Sequence, residues 1–218
     1  MSMQTELDGV YSHFQANAPE FVKTTVVQAK TDFTRSFDPK TTIQVGSKLP
    51  PFELPDAKLG TVSSADLLAK GPILLTFYRG GWCPFCNVAL QHLQRRLAEF
   101  QAKGVMLVAI SPELPDSTLS TAEKNALAFP VLTDLHNAYA HQLGIVWKQP
   151  RSMEKVFEAF GNDLKTRNGD DSLEVPVPST FLVDKNGVIR NAHVEADYTK
   201  RLDPATALEW IDALQKAD

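Results

Sequence analysis

The sequence predicts an α/β protein in which a central mixed sheet is flanked by helices and preceded by a helical extension. After Gly46, short apolar runs alternate with stretches of helical periodicity, which is typical of a sheet covered by helices. In the first 40 residues, apolar side chains recur at helical spacing. We therefore divide the chain into an extension at residues 1–40 and a main body at residues 41–218.

The extension is predicted to be helical on both sides of Pro19. Its first apolar face is formed by Leu7, Val10, Tyr11 and Phe14, at positions i, i+3, i+4 and i+7. The pattern is repeated after the proline, and Asp38-Pro39 ends the extension because a residue before proline disfavours the helical region. This apolar face either packs on the main body, which we favour, or contacts a second subunit in a homodimer.

The main body begins with a predicted strand–helix–strand unit. The apolar runs Pro72–Tyr78 and Val105–Ser111 are continuous enough to be central strands that are buried on both faces. Between them, Asn87–Phe100 is predicted as one helix, with Arg95 and Arg96 near its end, where cations suit the helix dipole. Such a unit forms a right-handed crossover between parallel strands.

The end of the chain is predicted to be a hairpin followed by a helix. Thr180–Arg190 contains two strand patterns joined through Asp184–Gly187, where Asn-Gly supplies the positive φ of a tight turn. Asp203-Pro204 then starts the last helix, with Asp as its N-cap and Pro in its first turn.

Composition and charge narrow the range of partners. The 218 residues include 22 Lys and Arg against 26 Asp and Glu, a net charge of -4, whereas duplex-binding domains are usually basic. The first residues lack the features of a signal peptide, and no run of about 20 apolar residues occurs. We expect a cytoplasmic protein that binds neither nucleic acid nor a membrane.

The two cysteines, Cys83 and Cys86, form a Cys-Pro-Phe-Cys segment that follows a predicted strand and opens a predicted helix. The reactive species of cysteine is the thiolate, and the N-terminal end of a helix stabilises it, so the pKa of Cys83 is expected to be low. The i, i+3 spacing places both sulfurs on one face, where they are able to form a reversible disulfide. We expect Cys83 to attack and Cys86 to resolve.

Two alternatives for this pair are a structural disulfide and half of a zinc site. A bridge closing so small a loop stabilises the fold by only about 2 kcal/mol. A zinc site needs two further ligands, and the histidines show no paired spacing. The redox interpretation is therefore preferred.

Residues around the pair are candidates for contacts with the thiolate or the substrate. From Thr76 to Ala98 the chain has no Asp or Glu, and Arg79 lies four residues before Cys83. Pro178 precedes the hairpin strand, where either a cis turn beside the sulfurs or the more usual trans bond would fit.

Four segments of the chain resemble the alkyl hydroperoxide reductase and thiol-specific antioxidant group, the peroxiredoxin-like redoxins of the thioredoxin superfamily, over about residues 45–195. They are Val45–Leu54, Tyr78–Cys86, Ala128–Asp134 with Tyr139–Gly144, and Pro178–Asp184. The resemblance implies a thioredoxin-like fold, a hydroperoxide or disulfide substrate, and a reductant of the thioredoxin or glutathione type. It places Cys83 at the attacking position. Trp82, Pro178 and Tyr78 are the expected substrate-binding residues. No metal, flavin or nucleotide is expected, because no phosphate loop or ligand cluster is present.

The sequence departs from this family at the residues that hydrogen-bond a peroxide. Thr76 stands at the position of the family's proline, Gly80 at that of its threonine, and Pro178 at that of its later arginine. Arg79 is a candidate to replace the arginine, since a guanidinium lowers a thiol pKa and holds an oxyanion. The buried acid of thioredoxin is replaced by Phe77.

An insertion at about residues 145–176 is longer than the connection expected in a compact member of this group. Met153, Val156, Phe157 and Phe160 share one helical face, and a polar stretch, residues 161–172, follows. The insertion either extends the core or forms a lid or partner surface beside the redox pair, with Trp147 as an aromatic wall.

Three functions are compatible with these features: a thiol peroxidase, a disulfide oxidoreductase, and a binding module without turnover. The two intact cysteines make the binding module the weakest of these. The resemblance favours the peroxidase, whereas Gly80, Pro178 and the Cys-Pro-Phe-Cys segment favour disulfide exchange. We predict the peroxidase, regenerated through a Cys83–Cys86 disulfide.

Overall fold

The computed structural model describes residues 1–56, 58 and 60–217 and has the predicted α/β architecture. Its main-sheet strands are β1 (Glu53–Asp56), β2 (Gly60–Ser63), β3 (Ile73–Phe77), β4 (Met106–Ser111), β5 (Val131–Thr133), β8 (Ser179–Val183) and β9 (Ile189–Val194), and a separate antiparallel pair is formed by β6 (Val146–Lys148) and β7 (Glu174–Pro176). The strand order of the main sheet is β2-β1-β5-β4-β3-β8-β9.

The centre of the sheet is parallel and its edges are antiparallel. Strand β3 pairs in parallel with β4, with Ile73 opposite Met106, and β4 pairs in parallel with β5. On the other side, β8 runs antiparallel to β3, and β9 runs antiparallel to β8. Every residue of β3 is buried, which confirms the prediction of a central strand covered on both faces.

Ten α-helices surround the sheet in the described part of the chain. They are α1 (Met3–Asn17), α2 (Glu20–Ser36), α3 (Ser64–Leu68), α4 (Pro84–Arg95), α5 (Leu97–Ala102), α6 (Pro115–Lys124), α7 (Ala138–Gln142), α8 (Met153–Ala159), α9 (Leu164–Asn168) and α10 (Pro204–Ala217). Short 3-10 turns lie at Pro39–Thr41 and Leu135–Asn137. None of the helices described is long and apolar enough to cross a membrane.

The extension forms the two predicted helices, and both pack on the main body. Helix α1 contacts α4, and α2 contacts α8. Met3, Leu7, Val22 and Ala29 are buried in the same hydrophobic core as the sheet. A salt bridge from Glu6 of α1 to Arg95 of α4 adds a polar contact.

The prediction of a single helix over residues 87–100 is wrong, because the helix is interrupted at Arg96. The helix ends at Arg95, Arg96 leaves the helical region with φ -103° and ψ 5°, and α5 starts at Leu97. The change of direction brings α5 against β4 and buries Phe100 completely. Core packing of Phe100 thus overrides the continuous helical periodicity of the sequence.

The insertion is built from more elements than the periodicity predicts. The expected apolar helix is present as α8, with Met153, Val156 and Phe157 buried, whereas Phe160 is its exposed C-cap. The polar stretch after it contains α9, and the β6–β7 pair closes the insertion at its base.

The terminal hairpin and helix are confirmed. Strands β8 and β9 are antiparallel, and Gly187 has a φ of +76° in the turn between them. The Asp203 carboxylate accepts a hydrogen bond of 2.8 Å from the backbone N–H of Ala205 at the start of α10, as an N-cap residue does.

We expect Leu7→Ala to lower the free energy of unfolding by about 2–5 kcal/mol, because a side chain that is 1% exposed leaves a cavity in the shared core. Urea denaturation followed by circular dichroism measures the change. Tyr11→Ala in the same helix is the control, and its loss should stay below about 1 kcal/mol because Tyr11 is 41% exposed. Equal effects of the two substitutions would show that the extension does not belong to the core.

Candidate active site

The two cysteines lie at the point where the loop after β3 leads into α4. Cys83 is the N-cap of α4, and its carbonyl oxygen accepts hydrogen bonds from the backbone N–H groups of Cys86 and Asn87 at 3.0 and 3.1 Å. Pro84 occupies the first turn, where its missing N–H costs nothing. Both cysteines are fully buried free thiols, close to one another but not bonded.

Burial and charge separate the pKa values of the two thiols. Burial opposes ionisation of Cys83, but a hydrogen bond from the Cys86 thiol and the charges of Arg79 and Arg201 outweigh it and hold the pKa of Cys83 well below its usual value. Burial and the hydrogen bond with Cys83 raise the pKa of Cys86 well above its usual value. These opposite shifts favour the thiolate form at Cys83 and the protonated form at Cys86.

Arg79 is the buried cation next to Cys83. Its Nη2 lies 3.5 Å from Cys83 Sγ, and its side chain is held between two aromatic rings. The guanidinium carbon is 3.9 Å from the ring centroid of Tyr198 and 4.8 Å from that of Trp82. With the residue only 5% exposed, the thiolate is the neighbour that balances its charge.

Arg201, which sequence reasoning missed, supplies a second cation. Its Nη2 lies 3.4 Å from Cys86 Sγ, and Nη1 donates to the carbonyl oxygens of Tyr198 and Lys200. No local signal in the sequence marks this residue, because it reaches Cys86 across 115 positions of the chain.

Glu113 is a fully buried carboxylate beneath the loop that carries Trp82, and it was also missed. It accepts hydrogen bonds from the Gly81 backbone N–H at 2.9 Å, from the Thr121 hydroxyl at 3.2 Å, and from Arg167 at 3.2 Å. Burial raises the pKa of this carboxyl, against the effect of these donors. The segment from Thr76 to Ala98, which contains no Asp or Glu, therefore contacts the acidic side chain of Glu113 from the region after β4.

A signal for Glu113 exists in the sequence. The residue lies two positions after the end of β4, as the cysteine loop follows on β3. Because β3 and β4 are parallel neighbours, the residues after their carboxyl ends meet at the same edge of the sheet.

Gly80, which stands at the position of the family's threonine, has no room for a side chain. Its φ is +143°, and a Cβ atom there would lie 2.4 Å from Trp82 Nε1 and 3.0 Å from Glu113 Oε1. Thr76, which stands at the position of the family's proline, forms a hydrogen bond of 3.0 Å between its hydroxyl and that of Thr180. The departures from the family pattern are thus accommodated in the packing of this loop.

Pro178 and Tyr78 lie near Cys86. They line a small cavity of about 20 Å³ together with Cys86, His193 and Arg201. The Val177–Pro178 bond is trans, as no cis peptide bond occurs among the residues described. The Val177 N–H donates to the Ile145 carbonyl oxygen at 2.7 Å, which holds the chain extended at this point.

A larger cavity of about 830 Å³ lies on the Trp82 side, lined by Arg79, Trp82 and Tyr198 but not by either sulfur. Of the predicted substrate-binding residues, only Trp82 lines it. Because Cys83 is 0% exposed, a substrate reaches its sulfur only when the side chains around it move.

The zinc alternative has no further support from the geometry. Within residues 1–56, 58 and 60–217, no group of three or more His, Cys, Asp or Glu side chains is placed to hold a metal ion.

The sequence and the fold place the protein in the class of peroxiredoxin-like oxidoreductases. Within that class, the chain belongs to the AhpC/TSA family, whose sequence profile matches residues 45–192.

Similar proteins fall into two functional groups. Peroxiredoxin Bcp of Escherichia coli (strain K12) is 26% identical over 169 residues, which is 78% of this chain and 96% of that protein. Thiol-disulfide oxidoreductase ResA of Geobacillus kaustophilus is 27% identical over 161 residues, which is 73% of this chain and 75% of that protein. Among solved structures, Peroxidoxin BcpB from Mycobacterium tuberculosis has a TM-score of 0.61 at 22% identity, covering 78% of this chain and 97% of the other, which supports the fold.

Replacing Arg79 by Met should raise the pKa of Cys83, since the substitution keeps a long apolar side chain but removes the charge beside Sγ. The rate of alkylation by iodoacetamide, measured against pH, should therefore rise at a higher pH than in the unmodified protein. Arg95→Met is the matched control, because Arg95 belongs to the same segment but is 53% exposed and pairs with Glu6. Identical profiles for all three proteins would show that Arg79 does not lower the pKa of Cys83.

Proposed function

We propose that the protein is a thiol peroxidase in which Cys83 attacks a hydroperoxide and Cys86 resolves the product. The observation that supports this most directly is the buried contact of 3.5 Å between Arg79 and Cys83 Sγ, beside a protonated Cys86. A thiolate is the reactive species, and a fixed guanidinium is able to stabilise negative charge on the departing oxygen.

The reaction proceeds in two displacement steps. The Cys83 thiolate attacks the terminal oxygen of the hydroperoxide, so that an S–O bond forms, the O–O bond breaks, and the alkoxide leaves and takes a proton from the solvent to become an alcohol. Cys83 is then a sulfenic acid. The sulfur of Cys86 next attacks that of Cys83, the S–S bond forms, and the sulfenic oxygen departs as water with the proton of the Cys86 thiol. An external dithiol returns two electrons and two protons to the pair.

The same pair suits a second function, thiol–disulfide exchange. The threonine and arginine that typically hold a peroxide are replaced by Gly80 and Pro178, and ResA among the similar proteins is a thiol-disulfide oxidoreductase. In that reaction Cys83 attacks a substrate disulfide, and Cys86 releases the mixed disulfide.

The partners belong to the same proposal. A thioredoxin-type or glutathione-type reductant fits an intramolecular disulfide, and the expected compartment is the cytoplasm, where the two thiols stay reduced at rest. A homodimer is also proposed, with the exposed Phe21 and Val27 of α2 as candidate contacts.

Cys83→Ser should abolish turnover, because serine supplies no thiolate. Cys86→Ser should permit one oxidation and then accumulate a Cys83 sulfenic acid, which dimedone labelling and mass spectrometry detect as one added label per chain. Turnover of the Cys83→Ser protein at the original rate would overturn the assignment of the attacking residue.

The reaction with hydrogen peroxide separates the two functions. For a peroxidase, stopped-flow mixing of the reduced protein should give a rate constant at least about 100-fold above that of a free thiolate, the size of effect expected from one fixed oxyanion donor. The rate should fall as the pH drops through the pKa of Cys83, below the range in which a free cysteine loses its charge. A rate equal to that of a free thiolate, together with rapid reduction of a protein disulfide, would establish exchange instead.

A further inference from the structure

The cavity of about 830 Å³ beside Trp82 is lined in part by the helical extension, which lies outside the AhpC/TSA match. Helices α1 and α2, which precede the start of the match at residue 45, form one wall, and α8 of the insertion, which lies within the match, forms another. The volume lies within the range of about 300–1,000 Å³ that is typical of small-molecule sites. A hydroperoxide group or a dithiol does not need a chamber of this size.

The walls of the cavity are mainly apolar. The side chains that form them come from both helices of the extension and from the insertion: Val10, Phe14, Val26, Val156, Phe157 and Phe160. Such a surface favours an alkyl chain over a polar ligand, because burying the chain removes apolar area from water.

The polar part of the lining carries positive charge. Arg79, Lys124 and Arg167 line the cavity, and no Asp or Glu among the residues described does so. Arg167 is already paired with Glu113, and Arg79 Nη2 contacts Cys83 Sγ, which leaves Lys124 and the other N–H groups of Arg79 for a ligand. A cavity lined by charges of one sign favours a ligand of the opposite charge.

Two buried donors that belong to residues lining the cavity have no partner among the residues described. Arg79 Nε and Trp82 Nε1 make no hydrogen bond within the part of the chain that the structure describes, and both residues line the cavity. An N–H group of either kind only donates, so the group that satisfies it is an acceptor. A buried donor without a partner is costly, which favours binding of an acceptor there.

We propose that this cavity binds a medium-chain carboxylate, with the alkyl chain between α1, α2 and α8 and the carboxylate at Arg79 and Lys124. The proposal goes beyond the peroxidase function, since it follows from the walls and charges of the cavity and involves no reaction at Cys83. It also places the ligand one side chain away from the thiol, because Arg79 contacts Cys83 Sγ.

Titration calorimetry of the reduced protein with octanoate tests the chemistry of the ligand. Octanoate should bind at one site per chain and at least about tenfold more tightly than octylammonium, because the two have similar chains and opposite charges. Acetate, which has the carboxylate without the chain, should show no saturable binding. Absence of saturable octanoate binding, or equal affinities for octanoate and octylammonium, would overturn the proposal.

Gly9 offers a matched pair of variants to locate the ligand. It lies inside α1 and lines the cavity, and a Cβ atom added there would meet no atom within 4 Å. Gly9→Ala and Gly9→Phe both remove a helix-weakening glycine, but only phenylalanine extends into the cavity. We expect Gly9→Ala to bind octanoate like the unmodified protein and Gly9→Phe to bind it at least about tenfold more weakly. Unchanged binding in Gly9→Phe, with the circular dichroism spectrum preserved, would place the ligand elsewhere and refute the proposal.

Lys124→Gln tests the position of the carboxylate. The variant should bind octanoate about three to ten times more weakly and leave the affinity for 1-octanol unchanged, because only the charged ligand uses the ammonium group. An equal loss for both ligands, or no loss for octanoate, would contradict the assigned carboxylate position. All of these measurements use the resting protein without peroxide. A failure to bind octanoate would therefore refute the proposed ligand site without affecting the proposed peroxidase function, and the reverse also holds.

Discussion

The contact between the Arg79 guanidinium and the Cys83 sulfur is the interaction on which the rest of the site depends. A buried cation is expensive unless an anion lies beside it, and a buried thiolate is expensive unless a cation does. Each therefore stabilises the charged form of the other, and the helix start adds donors on the sulfur side. Burial and the neighbouring negative charge of Cys83 raise the pKa of Cys86, which favours its protonated form.

The position of Arg79 is maintained by a stack of aromatic side chains that reaches into the extension. Phe33 of α2 stacks on Trp147 with ring centroids 4.7 Å apart, Trp147 on Tyr198 at 6.2 Å, and Tyr198 on the guanidinium at 3.9 Å. On the other side, Phe157 of the insertion packs edge-on against Trp82 at 5.1 Å. The extension and the insertion, which lie largely outside the core motifs of the family, thus form the surroundings of its redox centre.

The loop between β3 and α4 shows how the family pattern is altered without loss of order. The Gly81 N–H is held by the Glu113 carboxylate, which is in turn held by Thr121 and Arg167. Close packing of Trp82 and Glu113 around Gly80 excludes a threonine at that position. Positive charge near the sulfurs comes instead from Arg79 within the loop and from Arg201 near the end of the chain.

Local physical chemistry is strong enough to predict the elements that carry the cysteines. A continuous apolar run indicates β3, the Cys-Pro-Phe-Cys segment marks the start of α4, and the Asn-Gly turn and the Asp203 cap mark the hairpin and last helix, because each depends on neighbours within a few residues. The place of Glu113 after β4 follows from the parallel pairing of β3 and β4. The break at Arg96 and the approach of Arg201 to Cys86 depend on side chains brought together from distant parts of the chain. Their positions are decided by core packing and by the need to pair buried charges, neither of which has a local pattern in the sequence.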